Sequence, residues 1–372
     1  MVSRFAGTFH KPVAKYRCIR TQTVIGMCYT FRNSSTETNR PRNHRKTQTI
    51  SLVAGASAVA FSSYVLLGRK LEAKEQISKD LQSVTHIQGP ANMNDLKLTI
   101  FQYHTCPFCR KVRAFFDFYG FSYDVVEVNP VLRKEIKFSP YRKVPIVTAK
   151  NGDINAENVQ LNDSSLIVSA LHSYMIGENK QLTEILTYFP EMTSENAKGK
   201  KVKEYTNKYE IMLGQPQQNM ASRKEEKEWR SWVDSVFVHT LSPNVYRTPS
   251  EAVKAFDYIS ETGKFSTVEK YIAKYVGAAA MYFISKLLKR KWNLKDDVRQ
   301  SLYEEADKWM QAVGPDRDFM GGDLPNLADL AMYGVLSAIE GFDAFNDLLD
   351  NTSIKPWYKK TKQAVASHAG AN

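Results

Sequence analysis

Cysteine is scarce in this chain: the 372 residues hold four, at positions 18, 28, 106 and 109. Two of them fall in a basic leader, so the rest of the chain has one C-x-x-C pair and no other cysteine. That excludes the disulfide framework of a small secreted domain and favours a reducing compartment. There is no second C-x-x-C, and no H-x-x-x-H among the seven histidines. A closed structural zinc site would need two further ligands at such spacing. Acidic residues are missing from the first 36 positions, which carry Arg4, Lys11, Lys15, Arg17, Arg20 and Arg32 among Ser and Thr. Positive charge without negative is the composition of an organelle transit segment, and an unstructured basic tail shares it.

The formal net charge of +12 suggests nucleic acid until it is located. Residues 1–48 hold ten Lys or Arg against Glu37 alone, which leaves 41 basic and 38 acidic residues for the remainder. The body is therefore nearly neutral, and no footprint for a phosphate backbone is predicted. Charge is absent from TQTISLVAGASAVAFSSYVLLG, residues 47–68, between Lys46 and Arg69. About 20 residues of helix span the hydrocarbon layer, so the length suits one crossing. Its many Ser, Ala and Gly suit equally the end of a transit segment or a buried helix. Basic residues flank both ends and leave the orientation open. The expected organisation is a leader or targeting segment over 1–48, a membrane anchor over 49–68 and a linker over 69–95, with the folded part starting near Asp95.

From there the patterns become regular. LKLTIFQY (96–103) predicts a buried strand, CPFCRKVRAFFDFYG a helix stopped by Gly120, and SYDVVEVNP (122–130) a second strand. Strand, helix, strand at this spacing is a βαβ unit with a parallel pair. VLRKEIKFSPYRK reads as a short helix and loop, VPIVTAK (144–150) as a third strand and ENVQL as a fourth after the NGD turn. NDSSLIVSALHSYM closes the unit as a helix that buries Leu166, Ile167, Ala170 and Leu171.

The order β-α-β-α-β-β-α, with C-x-x-C opening the first helix and Val-Pro before the third strand, resembles the thioredoxin and glutaredoxin fold. At an exposed helix start, unpaired amides and the helix dipole favour a thiolate, so the Cys106 pKa should fall below the free value of about 8.5. Pro107 suits the first turn, where its missing N–H loses no bond. Cys109, one turn further, should be more buried and less reactive. A redox pair, a metal clip and a structural pair remain open from the motif alone.

FQYHTCPFCRKVRAF, VVEVNPVLRKEIKFSPYRKVPI and QLNDSSLIVSAL together resemble the membrane-associated prostaglandin E synthases that carry a glutaredoxin-like half. The resemblance covers the body from about residue 95 and implies isomerisation of the endoperoxide prostaglandin H2 to prostaglandin E2. It implies Cys106 as the catalytic thiol with Cys109 in support, Tyr103 as a phenol beside it, and Phe108 as an aromatic lining the substrate pocket. For glutathione it implies backbone bonds at Val144 before Pro145, with Asp163 and Ser164 at the γ-glutamyl end; a helix N-terminus there suits a carboxylate. The family also binds haem through the glutathione sulfur, and nothing else in this sequence marks a haem site. A homodimer, a lipid endoperoxide as partner, and a mitochondrial or Golgi membrane follow from the same resemblance.

Beyond residue 178 helical patterns dominate, in EWRSWVDSVFVHTLSPNVYRT, SEAVKAFDYI, TVEKYIAKYVGAAAMYFISKLLKR and DDVRQSLYEEADKWMQAVG. In GGDLPNLADLAMYGVLSAI, Asn326 stands three residues before Asp329, a capping arrangement ahead of an apolar helix. Its position resembles the core-helix capping segment of glutathione transferases. The predicted fold class is thus an α/β thioredoxin/glutaredoxin-like domain, 96–178, followed by an all-α glutathione-transferase-C-like domain, 179–372. Charged residues from Lys198 to Lys227 read as an exposed excursion or loop. Around VGAAAMYFISKLL, Lys274 and Lys286 leave only eleven uncharged residues between them, too short to span a membrane, so the segment reads as core or as an interface with a second copy.

Two other functions stay in view. A thiol-disulfide oxidoreductase would use Cys106 to attack and Cys109 to resolve. A non-enzymatic glutathione and haem carrier would need neither.

Overall fold

The computed structural model describes residues 84–91, 96–130, 132–150, 158–177, 181–195, 199, 201–213, 220–262 and 271–371. The leader, the anchor and most of the linker lie outside the described residues, as does the NGD turn. No helix among the described residues is long and apolar enough to cross a membrane.

Five strands form the first sheet: β1 (Thr85–Ile87), β2 (Lys97–Gln102), β3 (Tyr123–Glu127), β4 (Ile146–Lys150) and β5 (Val159–Asn162), in the order β1-β3-β2-β4-β5. The β2–β3 pair is parallel, with Leu98 opposite Tyr123, and the crossover between them is α1 (Pro107–Phe118). The other pairs are antiparallel. Gly120 takes φ +67°, the left-handed conformation that ends α1 without a Cβ penalty. One strand was not foreseen. β1 pairs with Tyr123–Val125 inside the stretch read as linker, so the sheet begins ahead of Asp95. Three residues of modest apolarity give too weak a period to read, and only pairing with β3 makes them a strand.

The helical part follows α2 (Ser164–Ile176) and the short α3 (Leu182–Leu186). It opens with an exposed antiparallel pair, Glu191–Glu195 against Lys201–Tyr205, whose second strand lies in the charged stretch read as an excursion. The later part of that stretch is not a loop: α4 (Met220–Trp232) carries it and runs through a π-helical turn (Val233–Phe237) into α5 (Val238–Val245). Then come α6 (Pro249–Thr262), a π turn at Ala273–Gly277 leading into α7 (Ala278–Lys291), α8 (Val298–Val313), α9 (Leu327–Ser337), α10 (Asp343–Asn351) and α11 (Ile354–Ala366).

One helix joins the two parts. Every residue of α9 is buried, as expected of a segment apolar all round apart from its capping acid. The foreseen capping box is present: Asn326 Oδ1 accepts from the amides of Ala328 and Asp329, and Asp329 accepts from the Asn326 amide at 3.0 Å. Asp329 also accepts from Met320 N, Gly321 N and Trp357 Nε1. The helix crosses α1 at Gly334, where an added Cβ would lie 2.5 Å from the Lys111 Cα. Gly334→Ala should therefore push the two helices apart at a cost of about 1–3 kcal/mol, read as a lower urea midpoint.

Candidate active site

The site lies at one end of the sheet because three segments turn there. β2 ends at Gln102 and leads through Tyr103 to Cys106; β4 starts at Ile146, just after Val144 and Pro145; β5 ends at Asn162, just before Asp163. Phe101 pairs with Ile146 and Ile146 with Asn162, so the register sets the cysteine turn, the Val-Pro turn and the start of α2 side by side. The Val144–Pro145 bond is cis.

Cys106 is the N-cap of α1, with extended backbone and Pro107 in the first turn. Its amide donates to the Tyr103 carbonyl at 3.0 Å, and its carbonyl accepts from the Arg110 amide at 2.9 Å. Both thiols are free, and both are buried, Cys106 being 2 % exposed and Cys109 0 %. The exposed helix start expected for Cys106 is thus corrected. An apolar cluster of Val128, Ile136, Val144 and Ile146 encloses the pair, with Phe101, Tyr103, Phe108 and Tyr141 packed around it. Charge is placed unevenly in that cluster. Burial pushes the Cys106 thiol up, but hydrogen bonds from the Cys109 thiol and from the Cys109 and Phe108 backbone outweigh it and bring the pKa below the ordinary range. Cys109, pushed up by burial and by its bond to Cys106, stays a thiol. Of the two thiols, Cys106 is therefore the one that ionises more readily.

His104, the loop residue of the motif, is held down to about 4 by burial and by Arg110 and Arg113, so it is neutral. Asp163 is the N-cap of α2 at φ +71°, a conformation seldom adopted by a non-glycine residue. Its Oδ1 accepts from Ser165 N at 2.9 Å, and its Oδ2 lies 3.4 Å from Lys208 Nζ. Ser164 is buried in the first turn. Every expected site residue therefore lies at this end of the sheet: Cys106, Cys109, Tyr103, Phe108 and Val144 in one cluster, Pro145 next to it, and Asp163 with Ser164 on the adjoining turn.

A buried polar group behind the site was not foreseen. Lys111 Nζ donates to both oxygens of Asp234, at 2.6 and 2.9 Å, and to Ser165 Oγ at 2.8 Å. Ser165 Oγ and Tyr209 OH in turn donate to Asp234 Oδ2, and Arg230 donates to Ser169 Oγ and the Tyr209 carbonyl. The network ties α1 and α2 to the π turn, which brings Asp234 to the helix carrying Cys106. Its one sequence signal was an acid inside the apolar run SWVDSVFV. Local sequence cannot show that the partner lies 123 residues away.

Comparison with known proteins fits this geometry. A glutaredoxin family model matches residues 98–154. Prostaglandin E synthase 2 of Mus musculus is 51% identical over 316 residues, covering 84% of this chain and 81% of that protein. The Danio rerio protein of the same name is 48% identical over 319 residues, covering 84% and 80%. Among solved structures, human glutathione transferase theta-2 is 14% identical with a TM-score of 0.40, covering 73% of this chain and 84% of that one. FzlA from C. crescentus is 16% identical at 0.43, covering 73% and 90%. Likeness as loose as these two carries no weight on function. The mouse and zebrafish identities, over most of each chain, are decisive for kinship: the chain belongs to the prostaglandin E synthase 2 family.

Proposed function

We propose that the chain is an isomerase converting prostaglandin H2 to prostaglandin E2, with the Cys106 thiolate moving the proton. The observation that carries the mechanism is the enclosed cysteine pair at a helix start, with Cys106 receiving hydrogen bonds from the Cys109 thiol and from the Cys109 and Phe108 backbone. The thiolate takes the proton from the carbon bearing one peroxide oxygen; the C–H electron pair becomes the C=O π bond as the O–O bond breaks, and the other oxygen leaves as an alkoxide. Cys106, now protonated, gives that proton to the alkoxide. A ketone and a hydroxyl form without net oxidation, and the thiolate is restored. Cys109 donates its S–H to Cys106 throughout, while Tyr103 and Phe108 at the edge of the cluster offer a phenol and an apolar face to a fatty substrate.

Glutathione fits beside the pair. Val144 and Pro145 would hold its cysteinyl part, and Asp163 and Ser164 its γ-glutamyl end, where first-turn amides suit a carboxylate. Bound there, it supplies a second thiol next to Cys106. Haem is implied by resemblance alone, through the glutathione sulfur, and no step above needs it. The acid-poor leader and the uncharged run support a single-pass membrane tether in a mitochondrial or Golgi membrane with the body on a reducing side; the homodimer rests on the resemblance alone.

The test is product analysis by mass after adding prostaglandin H2 and glutathione to the protein. Prostaglandin E2 above the uncatalysed background is expected; its absence sinks the reading. A shortened form should start ahead of Val84, since one starting at Asn92 removes β1. Loss of its pairing with β3 should appear as a lower urea midpoint for the Asn92 form than for a form starting before Val84. Thiol-disulfide exchange is the second reading, favoured by the hydrogen bond between the two sulfurs. It predicts that Cys109→Ser abolishes dithiol reduction of a protein disulfide, in which Cys106 attacks one sulfur and Cys109 resolves the mixed disulfide.

A further inference from the structure

The helical run 271–291 has a side that no described residue covers. Tyr271, Tyr275, Phe283 and Leu287 are 65 %, 59 %, 57 % and 51 % exposed. They follow one another in steps of four, with exposed Ala279 in the gap, along roughly 24 Å of helix at 1.5 Å per residue. The opposite side is fixed to the body. Ala278, Met281, Ser285 and Leu288 are buried, an added Cβ at Gly277 would touch the Phe256 ring, and Ser285 Oγ donates to the Tyr246 carbonyl. The stripe therefore faces outward. The reading of the segment as core holds for the buried side, and the outward side leaves the question of its occupant.

The charge of the run is of one sign. Lys274, Lys286, Lys289, Arg290 and Lys291 lie on it, with no Asp or Glu between 271 and 291. Asp257 and Asp296 pair with Lys274 and Lys289. Lys286 donates to a neutral acceptor, the Arg247 carbonyl, and Arg290 is exposed, so uncompensated positive charge sits beside Leu287. Aromatic and leucine side chains rimmed by Lys and Arg make a helix that lies in a lipid interface, the rings at headgroup depth and the cations against anionic lipid. A second copy would bring the same sign of charge to the same face. The chain also places a bilayer within reach. Residues 69–83 separate the uncharged run from the first described residue, Val84, and that many residues span at most about 54 Å.

We propose that the 271–291 face docks on an anionic phospholipid surface, as a second membrane contact distinct from the N-terminal run. It would lay the folded body on the leaflet and is independent of how Cys106 acts. The full chain, reconstituted into phosphatidylcholine vesicles with or without phosphatidylserine, is irradiated with benzoylphenylalanine in place of Phe283, and adducts are read by intact mass. Phospholipid adducts should form with phosphatidylserine present, several-fold above those from the same probe at Leu324, another exposed apolar position. Lys286→Glu with Arg290→Glu should cut them about tenfold or more. Adducts insensitive to phosphatidylserine, equal yields at the two sites, or no adduct would each overturn the proposal. So would chain-to-chain crosslinks in place of lipid, which would make the face a self-interface.

Discussion

Cys106→Ser should lower prostaglandin E2 formation by roughly 10²–10⁴-fold, to the uncatalysed background, while Cys109→Ser keeps activity within about tenfold. The asymmetry follows from the opposite shifts of the two thiols, Cys106 down and Cys109 up. Serine at position 106 has no anion near neutral pH, so nothing accepts the carbon-bound proton. At 109 a hydroxyl still offers a donor to the Cys106 sulfur. A pH profile separates this from a structural effect. Because the Cys106 pKa is depressed, its alkylation by iodoacetamide should reach half its limiting rate below about pH 8.5. In Cys109→Ala, which loses the donor, that midpoint should move up. Equal loss of isomerase activity in Cys106→Ser and Cys109→Ser would instead point to dithiol chemistry.

Lys111→Met should cost about 3–5 kcal/mol of stability, because it strands the Asp234 carboxylate in the interior with only neutral donors. Lys111 is 3% exposed and Asp234 14%, so solvent screens the pair little. Lys111→Met combined with Asp234→Leu should recover most of the loss, since replacing a whole buried pair by apolar groups is often neutral. Urea unfolding of both singles and the double completes the cycle; additive losses would show that the pair is not coupled. Acid has a related effect. Burial raises Asp234, but Lys111, Ser165 and Lys208 together hold it below the ordinary carboxylate range. A depressed folded-state pKa contributes stability that is present above about pH 4 and is lost as pH falls through the folded value. Wild type should therefore show an acid-side loss that the double variant lacks.

How far the sequence was legible depended on how local each determinant is. The βαβ unit, the end of α1 at Gly120, the inward residues of α2 and the Asn326–Asp329 capping box were readable because each rests on a period or a spacing within one segment. The three site turns were readable one at a time. β1 was missed because three residues carry no period, and α4 was taken in part for a loop because charge conceals a helix that lies partly on the surface. The burial of Cys106 went against expectation, since its cover comes from Val128, Ile136, Val144 and Ile146 on three other segments.

The sequence by itself determined the βαβ crossover, the thiol at a helix start, the capped apolar helix and the acid-poor N-terminus. All of these are set by neighbours a few residues apart. Only the tertiary structure decided that Cys106 is buried, that Lys111 meets Asp234, and that no described residue covers one side of 271–291. Each of those depends on desolvation and partners supplied by distant segments, and burial becomes a property of a residue only once the chain has packed.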